Sequence, residues 1–253
     1  MIPATRTQTL RRASLTGGLA IALMAVLAPL ATFGAVGSLV TPGEAERTAQ
    51  DILASEGLFR WGILTLVVVV VLDIIAAAAL LTLFTPVNRG VSTMAAWFRV
   101  TYGAVYLVAI LQLVLALDLL DQPEQALSAI EAFNTIWLVA LILFAVHLLL
   151  IGYLAYRSGF MARIFGILLV VAGLGYLTDG IMAVLVAKPP VNVGQFTFVG
   201  EVSLILWLLI VGRRKSFRTD EQGQGDPPDP LTRLAVPVAS TAERSPAGVG
   251  EPV

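Results

Sequence analysis

Seven ionisable side chains lie within or at the ends of long apolar stretches: Arg60, Asp73, Arg99, Asp118, His147, Asp179 and Glu201. A charge in hydrocarbon is costly, so such groups face a protein interior or a water-filled space and often mark ion or substrate paths. His147, in FAVHLLLIGYLAYRS (144–158), is the single histidine of the chain. At a rise of about 1.5 Å per residue, His147 and Asp73 each lie about 3 Å to the same side of the midplane of their apolar runs. An Asp73–His147 pair at that shared depth would satisfy two sets of hydrogen bonds where water does not compete. Such a pair serves either as a proton relay or catalytic dyad, or as a hydrogen bond that fixes helix packing.

A second group lies toward the opposite side. Asp179 and Glu201 fall about 8 Å and 4 Å from the centres of their runs, and Arg60 begins an apolar run with a side chain long enough to reach inward. Arg60 with Asp179 or Glu201 would make an ion pair or triad. Alternatively, Arg60 extends to lipid headgroups. Arg99 is expected to mark the inner end of its own run, with Tyr102 and Tyr106 on its face, and Asp118 to reach water at the other end. Gly166, Gly173 and Gly180 recur every seven residues, a stripe on which a neighbouring helix can approach closely.

Other chemistries are argued against by residue type. One histidine, no cysteine and no H-E-x-x-H leave no cluster of metal ligands at the usual spacing. No metal and no cofactor is therefore expected. Ser203 lacks a G-x-S-x-G context, and no glycine-rich phosphate loop occurs. The basic run RRKSFR (213–218) flanks an apolar segment, which suits anionic lipid headgroups at Arg213, Arg214 and Lys215 and not nucleic acid.

The elements that must position these residues are membrane helices. Of 253 residues, 57% are hydrophobic and 13% charged, well below the charge of a soluble domain. Six stretches approach or exceed the roughly 20 residues that cross a bilayer: 14–40, 58–84, 95–120, 133–156, 161–187 and 196–212. The first is too long for the apolar core of a signal peptide. The expected fold is all-α: a six-helix transmembrane bundle (14–212) between a short N-terminus (1–13) and a basic flank with a Pro-, Gly- and Asp-rich, disordered tail (213–253). Eleven basic residues flank one side of the spans and only Arg47, Arg60 and Lys188 the other. That asymmetry is expected to put both termini in the cytoplasm. Thr41-Pro-Gly-Glu44 and Asp121-Gln-Pro-Glu124 have the form of capping boxes and predict short amphipathic outer helices ahead of spans two and four. Pro29 is a candidate kink in span one.

The segments ASEGLFR (54–60), VLDIIAAAALLTLF (71–84), WFRV (97–100), FAVHLLLIGYLAYRSG (144–159), RIFGILLVVAGLGYLTDG (163–180) and GEVSLILWLLIVG (200–212) also resemble an uncharacterised bacterial membrane family, domain of unknown function 4386. The resemblance spans roughly 10–212 and implies an integral membrane protein, with no activity, substrate or cofactor to carry over. Three functions stay open. The favoured one is a non-enzymatic carrier, lipid-interacting or assembly protein. The others are an enzyme acting on a lipid or isoprenoid head group through Arg60, Asp179 and Glu201, and a proton-coupled transporter using Asp73 and His147. The expected partner is the lipid bilayer, and the oligomeric state is open.

Overall fold

The computed structural model describes residues 4–186 and 199–211. Among them there are only helices and their connections: α1 (Ala4–Pro29), α2 (Ala45–Ala54), α3 (Glu56–Phe84), α4 (Arg89–Asp118), α5 (Pro123–Arg157), α6 (Arg163–Leu185) and α7 (Val199–Leu206). Five helical stretches are long and apolar enough to cross a membrane, the first running from Gln8 to Leu39. A shorter apolar helix covers Val199–Ile210. The chain is a multi-pass membrane protein. The basic flank, with Arg213, Arg214 and Lys215, and the tail lie outside the described residues.

Each boundary has a local cause. Pro29 has no N–H to give, and the helix continues through it as a wider turn, Leu30–Val36. Within that turn Gly37 N–H reaches back five residues to Thr32 O. The chain then bends at Gly43, whose φ of +79° suits glycine. The expected capping box does not form. Glu44 is the N-cap of α2 without a side-chain bond, and Thr48 instead bonds both the N–H and the carbonyl of Thr41. α2 is amphipathic, burying Ala45, Thr48, Ala49 and Ile52. The second expected outer helix is not separate: from Pro123 onward the chain runs unbroken for 35 residues into α5. Nothing after Pro123 interrupts the helix, because proline at the first turn is compatible with it. α4 begins at Arg89, capped by Asn88 Oδ1 accepting from Val91 N–H at 3.0 Å, six residues before the expected start. The RSG motif stops α5: Ser158 Oγ donates to Ala155 O (2.8 Å) and accepts from Met161 N–H (3.2 Å), and Gly159 turns at φ +67°.

α3, α4, α5 and α6 pack in sequence order, with α1 against α3 and α7 against α6. Ser14 Oγ donates to Leu208 O across 2.9 Å and joins the first helix to the last described one. One apolar cluster runs through this bundle, while the outward faces of α1, α3, α4 and α6 expose Leu, Ile and Val, as lipid-facing surfaces do. With no hydrophobic gradient between lipid and helix, close packing and polar contacts must hold the bundle together.

Candidate functional site

Asp73 and His147 are both buried, but Arg99 stands between them. Arg99 Nη2 is 2.6 Å from Asp73 Oδ1, and Arg99 Nη1 is 3.1 Å from His147 Nε2. His147 Nδ1 lies 2.8 Å from the carbonyl of Ala95. An arginine only donates and a carbonyl only accepts, so the ring must donate from Nδ1 and accept at Nε2. That pattern belongs to the neutral imidazole. The direct Asp73–His147 pair of the sequence reading is thus replaced by an Asp73–Arg99–His147–Ala95 array. The expectation failed because α4 starts at Arg89. Arg99 is therefore ten residues, or about 15 Å, inside its helix instead of at the membrane edge. A buried guanidinium needs a carboxylate more than a histidine does, and it takes Asp73.

Aromatic rings surround the array. The Arg99 guanidinium carbon is 5.3 Å from the Phe144 ring centroid, and the Phe144 and His147 rings stack at 5.8 Å. Phe144 also meets Tyr102 at 4.9 Å and the edge of Tyr176 at 5.7 Å. Tyr176 Oη donates to Glu201 Oε1 at 2.6 Å, which links α6 to α7. Trp137 Nε1 donates to Tyr102 Oη at 3.3 Å.

These groups border a cavity of about 430 Å³ inside the bundle. Asp73, Arg99, Tyr102, Tyr106, Trp137, Phe144, Tyr176 and Glu201 supply its polar and aromatic lining, and Met24, Val69, Leu141 and Ile205 are among its apolar walls. α1, α3, α4, α5, α6 and α7 all contribute. On the side between α1 and α7 the lining includes Ala25, Pro29, Phe33 and Val202, which are exposed. Among the described residues, the walls thus run out to the lipid-facing surface there.

The other expected site residues are placed as follows. Arg60 does not join Asp179 and Glu201. It is 60% exposed and its Nε lies 2.6 Å from Glu56 Oε1, one helical turn back. That local partner is available at no cost in desolvation. Asp179 is buried on α6, one turn from Tyr176, but does not line the cavity, whereas Glu201 does. Asp118 is exposed at the end of α4, and Ser203 Oγ donates to Gly200 O within its own helix. Gly166, Gly173 and Gly180 face α5: a Cβ on Gly166 would fall 2.7 Å from Gly152 O, one on Gly173 3.1 Å from Ala145 O, and one on Gly180 3.1 Å from Leu138 O. Among the described residues, no group of three or more His, Cys, Asp or Glu is arranged to hold a metal ion.

Residues 16–212, which include every residue that lines the cavity, match the family described as domain of unknown function DUF4386. The chain belongs to this family. The DUF4386 protein is also 31% identical, over 156 residues, to an uncharacterised protein of Archaeoglobus fulgidus. That alignment covers 62% of this chain and 86% of the archaeal one. No solved structure matches the chain. Sequence reasoning had WFRV among the family segments yet gave its arginine no place in the site. The signal was Arg99 with Tyr102 and Tyr106 at i+3 and i+7, one polar-aromatic face of a single helix. Tyr176 and Trp137 carried no comparable signal.

Proposed function

We propose that this protein is a six-span bundle of the bacterial cytoplasmic membrane, with both termini inside. In this reading it is non-enzymatic and binds a small amphiphilic molecule that enters sideways from the bilayer. Residues 196–212 supply the sixth span. The basic flank, with Arg213, Arg214 and Lys215, rests on anionic headgroups. The observation that carries the binding role is the cavity: apolar and aromatic walls, a few convergent polar groups and a side that reaches the lipid surface. Pockets of a few hundred Å³ with such linings are the usual form of small-molecule sites.

Neither alternative has the same support. An enzyme built on Arg60, Asp179 and Glu201 would need three groups in one place, and Arg60 is committed to Glu56 on the surface. A relay through Asp73 and His147 would need a free ring nitrogen, and both are engaged. The test is to purify the protein from its own membranes, extract it, and compare bound lipids and metabolites by mass spectrometry with those of Leu141→Trp, which fills the cavity from α5. A species retained near one per chain by the wild type and lost from the variant is expected. Identical extracts from two equally well-folded proteins would overturn the proposal.

A further inference from the structure

We infer that the molecule held in this cavity carries a positively charged group, such as an amine or quaternary ammonium, on an apolar body. The inference rests on the binding role proposed above and adds the charge of the ligand. Two carboxyl groups, of Asp73 and Glu201, and one guanidinium, of Arg99, line the cavity. Arg99 and Asp73 cancel across 2.6 Å. Glu201 is then the carboxylate without a cation in direct contact: among the described residues its hydrogen-bond partner is the neutral phenol of Tyr176. Asp73 meets Arg99 through Oδ1.

The rings point the same way. Tyr102, Tyr106, Trp137, Phe144 and Tyr176 line one cavity, and aromatic faces attract cations through the negative charge of their π-clouds. One cation is already held in this manner, the Arg99 guanidinium over Phe144. Arg99 offers an anion little in return, because Asp73 and His147 hold its two terminal nitrogens and only its buried Nε is without a partner. A ligand ammonium beside Glu201 would therefore meet carboxylate oxygen and π-faces together. Its apolar body would run along Met24, Ala28 and Ile205 toward the open side.

Three probes with one tail and different heads test the charge: decyltrimethylammonium, decyl phosphate and decanol, titrated into the full chain in a neutral sugar detergent, with the shift in unfolding temperature as readout. Glu201→Gln is the decisive variant, because its amide oxygen can still accept from Tyr176 and the helix contact is kept. The ammonium probe is expected to stabilise the wild type saturably, at least tenfold more tightly than the other two, and to lose at least tenfold in affinity in Glu201→Gln. Tighter binding of the phosphate or the alcohol would overturn the positive charge and leave the amphiphile site standing. Ammonium binding unchanged in Glu201→Gln would also overturn it. No saturable shift with any head would overturn both.

Discussion

The two sides of α5 are built on opposite principles. Toward α6 it has closed down to backbone contact: Gly152 and Gly166 face one another so closely that a Cβ on either would fall within 3 Å of the other's carbonyl oxygen. Toward α1, α3 and α4 it presents Trp137, Leu141, Phe144 and His147 to large, polar and aromatic partners, and three of these four line a cavity. Glycine stripes maximise dispersion contact between helices, which is the main adhesive available in lipid. A ring of tyrosines and a buried ion pair give that contact up. One seam thus holds the bundle together and frees the other side to stay open.

The sharpest way to break this contrast is at the ion pair. Asp73→Ala leaves Arg99 charged, buried and unpaired, and is expected to destabilise the fold by about 3–5 kcal/mol. The double variant Asp73→Leu/Arg99→Met is expected to recover most of that loss, because both charges leave together. Chemical unfolding in detergent measures both. If the single variant lost less than about 1 kcal/mol, Arg99 would not be buried as described.

Next in size are the glycines of the closed seam. Gly166→Ala puts a methyl against Gly152 O and Tyr156 N and is expected to cost about 1–3 kcal/mol. Gly103→Ala, on α4, meets only Val70 Cγ1 at 3.7 Å. It is expected to be neutral or to stabilise by up to about 1 kcal/mol through helix propensity. Equal effects at the two sites would erase the distinction between seam and open side. His147→Ala removes the acceptor for Arg99 Nη1 and the donor to Ala95 O, and is expected to cost about 1–3 kcal/mol.

Arg60→Ala is expected to have the smallest effect, under about 0.5 kcal/mol, since its pair with Glu56 is an exposed i,i+4 contact. Thermal unfolding would check it. A loss approaching that of Asp73→Ala would restore Arg60 to the interior.

The membrane bundle was legible because length and hydropathy are collective properties: no single residue decides whether VLDIIAAAALLTLF crosses a bilayer. Depth was nearly as legible, which is why Asp73 and His147 were placed at one level. What the sequence left open was azimuth, the direction each side chain takes around its helix. Arg60 turns to Glu56 on the outer surface of α3, whereas Glu201 turns into the cavity. Boundaries mattered as well. An N-cap at Asn88 instead of a start near Ala95 moved Arg99 from the membrane edge to the core of the site. The capping boxes failed for a related reason. A threonine one turn into α2 served the backbone of Thr41 that Glu44 was expected to complement.

The interior is open beside the array and closed beyond it, and the absence of native cysteine allows a direct measurement. Leu141 and Leu148 lie two turns apart on α5 with 4% and 1% of their surface exposed, but only Leu141 lines the cavity. Single cysteines at the two positions can be exposed to methyl methanethiosulfonate in the folded protein and the modified fraction followed by mass. Leu141→Cys is expected to react at least tenfold faster than Leu148→Cys. Equal rates, or no reaction at Leu141→Cys, would contradict an open intramembrane site.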